Sequence, residues 1–177
     1  MKSLKDHMKS RVHQRVIGIR TFTTADEHVI VEGRLTDNRL VNTYYLSGEN
    51  RPPDTIHDLI VRILVDDRLV IRQVETEMPQ IPHPDCQETI NSLQEIVGFK
   101  IRRGFTQKVK ALFGKGEGCS HLTELITAMA PAAIQGFWTA CSRNPLPENI
   151  IDALKLMLVD TCRVWRRGGK ALKRLGE

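Results

Sequence analysis

The hydrophobic pattern changes period about halfway along the chain. From 28 to 37, HVIVEGRLTD alternates, with Val29, Val31, Gly33 and Leu35 on one side and Ile30, Glu32, Arg34 and Thr36 on the other. That period of two predicts a strand with one mostly apolar face. LVNTYYL at 40–46 predicts a second short strand. SGENRPPD at 47–54 predicts a loop, because Gly, Asn and two prolines break up any ladder. LIVRILVD at 59–66 and LVIRQVETE at 69–77 predict a hairpin about Asp66, Asp67 and Arg68, a turn that lacks the favoured Asn-Gly or Asp-Gly pair.

After PQIPHPD at 79–85, a stiff extended segment with three prolines, the period becomes helical. Ile90, Leu93, Ile96 and Val97 predict a helix from Cys86 that Gly98 stops. FTQKVKALF at 105–113 predicts a short amphipathic helix, and GKGEG at 114–118 a turn. CSHLTELITAMAPAAIQGFWTAC at 119–141 predicts a long helix with Leu122, Leu125, Ile126, Met129, Ala133 and Phe137 on one face. Pro131 is expected to kink or split it. A break at 143–149 precedes a last helix, IIDALKLMLVDTCRVW, which ends at Gly168-Gly169. Strands first and helices afterwards make an α+β fold, a small antiparallel sheet with its helices on one side. The missing βαβ alternation excludes a Rossmann or flavodoxin arrangement.

The 177 residues, 41% hydrophobic and 27% charged, are enough for one globular domain with a core over 1–177, and the composition is not that of a disordered chain. No apolar run approaches the length of a membrane helix, and the first residues lack the apolar segment of a secretory signal. A cytoplasmic protein with no membrane partner is expected. The net charge of +5 is placed unevenly: residues 1–20 carry +5 and residues 163–177 carry +5, so the body between them is acidic by the same amount. Basicity at the two ends (about 1–12 and 168–177), with only 5% aromatics, argues for solvated, mobile termini and against a nucleic-acid groove. A protein partner, of unknown kind, is the remaining expectation.

The four cysteines, Cys86, Cys119, Cys141 and Cys162, form no C-x-x-C pair, which excludes a zinc ribbon or a thioredoxin motif. GKGEG follows a helix and ends before a cysteine, so it is no Walker loop. It does put Cys119 at a helix start, where unpaired N–H groups favour thiolate, with His121 two residues on. Cys86 also starts a predicted helix, behind its prolines, and His57-Asp58 opens the 59–66 strand. His57, Asp58, Cys86, Cys119 and His121 are therefore the candidate metal ligands, for zinc or an iron–sulfur cluster. An enzyme with Cys119 as nucleophile and His57 or His121 as base is the alternative, and a non-catalytic interaction module a third. Cys141 and Cys162 read as residues of apolar helices. His13 with Arg15 is a weak anion-binding pair.

RLTD (34–37), HDLIVRILVDD (57–67), PHPDC (82–86), LQEIVGFKIRRGF (93–105), GEGCSHLTEL (116–125) and DTCRVWRRGG (160–169) together resemble an uncharacterised bacterial family, domain of unknown function 2889. That resemblance implies no activity. More distantly, segments 56–65, 86–97 and 119–137 look like the iron–sulfur scaffold proteins of the NifU/IscU type. The likeness implies that fold, with Asp58, Cys86 and Cys119 at ligand-equivalent positions. The chain departs from that pattern in two places: Ile56 stands where the first cysteine is expected, and Gly118 where a histidine precedes the third. A mixed His/Asp/Cys site, or a scaffold without metal, is what the likeness then leaves.

Overall fold

The computed structural model describes residues 2–145 and 158–174. Strand β1 (His13–Thr23), β2 (Val29–Arg39), β5 (Asp54–Val65) and β6 (Ile71–Gln80) form one antiparallel sheet in the order β1-β2-β5-β6; β3 (Thr43–Tyr44) and β4 (Asn50–Arg51) make a small hairpin between β2 and β5. Helices α1 (Phe105–Phe113), α2 (Ser120–Cys141) and α3 (Lys170–Arg174) follow, so the architecture is α+β with strands first. The chain divides into two compact units, Met1–Trp138 and Thr139–Glu177. No helix among the described residues is long and apolar enough to cross a membrane.

The period of two in β2 buries Val29, Val31, Leu35 and Asp37 on one face, and β5 buries Leu59, Val61, Ile63 and Val65 on the same face. Leu122, Leu125, Ile126, Met129 and Ala133 of α2 cover it. The covering is tight at two points. A Cβ on Gly33 would stand 2.6 Å from Met129 Sδ, and a Cβ on Gly136 would stand 2.4 Å from Thr21 Cγ2. Hydrogen removes the side chain in both places, and the helix lies down along β1 and β2. The opposite sheet face is polar, with Glu32 and Glu77 paired to Arg62 and Asp58 paired to Arg34.

The β5–β6 turn forms without glycine because Asp66 closes it. Its carboxylate accepts from the backbone N–H of Arg68 and Val70 at 3.0 and 2.8 Å and from Arg72 Nε at 2.8 Å, while Leu69 takes the positive φ of 60°. Five sequence expectations are corrected. The loop at 47–54 contains β4, and the short strand read at 40–46 shrinks to β3. Residues 86–98 form two 3₁₀ turns, Pro84–Thr89 and Ser92–Ile96, instead of one α-helix. There the hydroxyls of Thr89 and Ser92 donate to the carbonyls of Cys86 and Thr89, competing with helical N–H donors. Pro131 does not split α2, because it lies on the exposed side, where water can satisfy the carbonyl it leaves without an N–H partner. The last predicted helix, 150–165, lies over 150–157 outside the described residues. It does not continue to 165, since Asp160 adopts a φ of 60° and the segment 159–169 is turns.

Candidate metal centre

Three strands and one helix bring their polar residues to the same end of the covered sheet face. Arg15 on β1 stands opposite Asp37 on β2, and Asp37 stands opposite His57 on β5. The three form a row across the sheet. The alternation of β5 puts His57 on the same face as Leu59 and Val61, and the register shifts just beyond it, where Asn38 faces Thr55. His121 and Glu124, three residues apart in the first turns of α2, share the helix face that looks down on the row.

Asp37 is the centre of the group and is 2% exposed. Arg15 grips it with both arms of its fork: Nε donates to Oδ1 and Nη2 to Oδ2, both at 2.7 Å. The remaining arm of Arg15 reaches Glu124. His57 Nδ1 lies 3.1 Å from Asp37 Oδ2, His121 Nε2 lies 3.5 Å from the same oxygen, and His13 Nε2 lies 3.4 Å from Oδ1. The rings of His57 and His121 are 3.8 Å apart at their centroids and tilted by 35°. Cys119 Sγ is 3.9 Å from the other nitrogen of His121, Nδ1.

The protonation states follow from this packing. The Arg15 hydrogen bonds hold the Asp37 carboxyl below its ordinary range, against the opposing effect of burial. Burial pushes the His57 imidazole down, and Asp37 only partly offsets it. Burial also lowers His121, helped by the nearby His57 and Arg15. The group at neutral pH is an anionic carboxylate between neutral imidazoles, the forms that bind a metal ion.

Asp37, His57 and His121 each offer one ligand atom, all within 4.8 Å of one another. Of the five residues the sequence singled out, His57 and His121 meet here. Asp58 points the other way along its strand and is held by Arg34 Nε and Nη2 at 2.7 and 2.6 Å on the opposite sheet face. Cys86 sits in the first 3₁₀ turn after β6, half-buried, and belongs to no ligand group among the described residues. Cys119 touches His121 without joining the three ligand atoms. The anion expected for His13 and Arg15 turns out to be the chain's own Asp37.

Asp37 and Glu124 are the members that the sequence reading missed. For Asp37 the signal was present: the alternation that buries Val29, Val31, Gly33 and Leu35 continues to 37, so a carboxylate lies on the apolar face and needs buried partners.

A family model described as protein of unknown function (DUF2889) matches residues 13–135, most of the chain, and the chain belongs to that family. The matched span holds every residue of the cluster. No curated protein and no solved structure matches it.

Proposed function

We propose that this member of a family of unknown function binds one divalent transition-metal ion through Asp37, His57 and His121. The observation that carries the reading is the spacing around Asp37 Oδ2. Bonds of about 2.0–2.1 Å to a tetrahedral ion put neighbouring ligand atoms about 3.3 Å apart, and His57 Nδ1 and His121 Nε2 stand 3.1 and 3.5 Å from that oxygen. Two imidazoles and a carboxylate suit zinc or non-haem iron and leave coordination positions open. An iron–sulfur cluster is held by thiolates, and this group has none, so the proposal is a single ion. Arg15 orients the carboxylate, and its charge is shared with Glu124, which tempers the repulsion of a dication.

Elemental analysis of untagged protein, reconstituted with zinc under reducing conditions, tests this. About one equivalent is expected. His57→Ala and His121→Ala should each lose it, while Asp58→Asn and Cys86→Ser keep it. Wild-type protein that takes up only traces of zinc ends the reading.

One contact favours a second reading, in which Cys119 is a nucleophile. Its sulfur, His121 Nδ1 and, beyond the ring, Asp37 stand in the order thiol, base, orienting carboxylate. Metal-free protein would then alkylate faster at Cys119 than at the exposed Cys162, and His121→Ala would erase the difference. Equal rates at the two thiols exclude it.

A further inference from the structure

A metal-bound imidazole has a second ring nitrogen, and what that nitrogen meets decides how firmly the ring is aimed. In His121 the nitrogen toward Asp37 is Nε2, at 3.5 Å from Oδ2. The other, Nδ1, faces Cys119 Sγ at 3.9 Å, within the reach of a sulfur hydrogen bond. We propose that Cys119 is a positioning residue for the metal centre: its sulfur accepts the Nδ1–H of His121 and so holds the Nε2 lone pair toward the ion.

The inference rests on the metal reading above and adds to it a role for a residue outside the ligand set. The sulfur and the ion lie off different edges of one ring, so Cys119 does not share the ion with His121 Nε2. Its backbone is fixed for the task. The Cys119 carbonyl accepts the first helical bond of α2, from the Thr123 N–H at 3.0 Å, and also the Thr123 hydroxyl at 2.9 Å. The sulfur therefore stands at a set height beside the first turn, two residues from the ring it touches. Cysteine also suits both states of the site. Without metal, Asp37 favours a proton on Nε2, and the thiol then donates to Nδ1. With metal on Nε2 the proton belongs to Nδ1, and the sulfur accepts it. A group able both to donate and to accept serves both states; alanine serves neither, and serine serves both through a shorter reach.

Cobalt(II) titration of wild type, Cys119→Ala and Cys119→Ser tests the assignment, with absorption spectra and ¹H–¹⁵N spectra of the imidazoles of a zinc-loaded sample. Wild type should bind cobalt without a sulfur-to-cobalt charge-transfer band, and the His121 proton should reside on Nδ1 in the zinc form. Cys119→Ala should bind about tenfold to a hundredfold more weakly, while its metal-free form still folds and unfolds cooperatively. Cys119→Ser should recover most of the affinity. A charge-transfer band that vanishes in Cys119→Ser would make Cys119 a ligand, overturning this inference and leaving the metal reading standing. Unchanged affinity in Cys119→Ala would overturn it in the same way. No cobalt uptake by wild type would end both readings together.

Discussion

Asp37 shows how much one buried charge decides. It is anionic because Arg15 binds both its oxygens, and the imidazoles are neutral because they are buried beside that same guanidinium. Both histidines are held below their ordinary value of 6.5, so below that pH the unfolded chain binds more protons than the folded one. Folding stability is then complete above 6.5 and falls as the pH drops from there through the folded values. Asp37 has the same sign lower down: its contribution is present above 3.8 and is lost as the pH falls through its depressed folded value. Arg15 lowers both imidazoles through its charge, so Arg15→Met should raise the titration midpoints of His57 and His121 in NMR and flatten the loss of stability between about pH 7 and pH 5. The same variant leaves a buried carboxylate without its strongest partner, at a cost of about 1–3 kcal/mol at neutral pH by urea unfolding. Midpoints that stay put in Arg15→Met would show that the guanidinium does not act on the imidazoles. Of this cluster the sequence made His57 and His121 legible, since histidines near element ends draw notice. Asp58 drew the same notice and pairs instead with Arg34. Its neighbour in the chain, His57, shows that adjacent strand residues serve opposite faces.

At the scale of elements, what was legible follows how strongly burial writes the pattern. β2 and β5 carry a clean alternation because one face is covered, and α2 carries its stripe for the same reason. β1 was hidden. It is an edge strand whose residues are only half-covered or exposed, and its arginines and histidine made it look like part of a solvated basic end. Its role becomes visible only in the pairing, where Thr21 and Arg15 lie under opposite ends of α2. The closeness of that helix to the sheet gives a test. Gly136→Ala should gain helix propensity of up to about 1 kcal/mol and still destabilise, because the new Cβ meets Thr21 Cγ2 at 2.4 Å and Cβ at 2.6 Å, atoms of a stiff side chain. Gly33→Ala meets the flexible thioether of Met129 and should cost less, toward the lower end of the roughly 1–3 kcal/mol of overpacked cores. Gly18→Ala, with nothing within 4 Å, is the control and should be close to neutral. Urea midpoints ordered the other way, with Gly136→Ala the mildest, would contradict this account of how α2 sits on β1.

At the scale of the molecule, the cluster draws on positions far apart in sequence: β1 at 15, β2 at 37, β5 at 57 and α2 at 121. An unfolded chain has no such site, so an ion held by Asp37, His57 and His121 binds the folded state alone and stabilises it by mass action. Zinc at a hundred times its dissociation constant should add about 2.7 kcal/mol, which for a chain of this size is a rise in melting temperature of about 5–10 °C. Acid should shrink the rise, since protons compete for both imidazoles, and it should be smaller at about pH 5 than at pH 7. The variants separate this from nonspecific binding by surface carboxylates. His57→Ala should abolish the rise at neutral pH. Asp58→Asn, on the other sheet face, should keep it in full, even though it removes the partner of Arg34 and lowers the starting melting temperature. Scanning calorimetry with and without zinc decides the matter: equal rises in wild type and His57→Ala would mean that the ion is held somewhere other than at the end of this sheet.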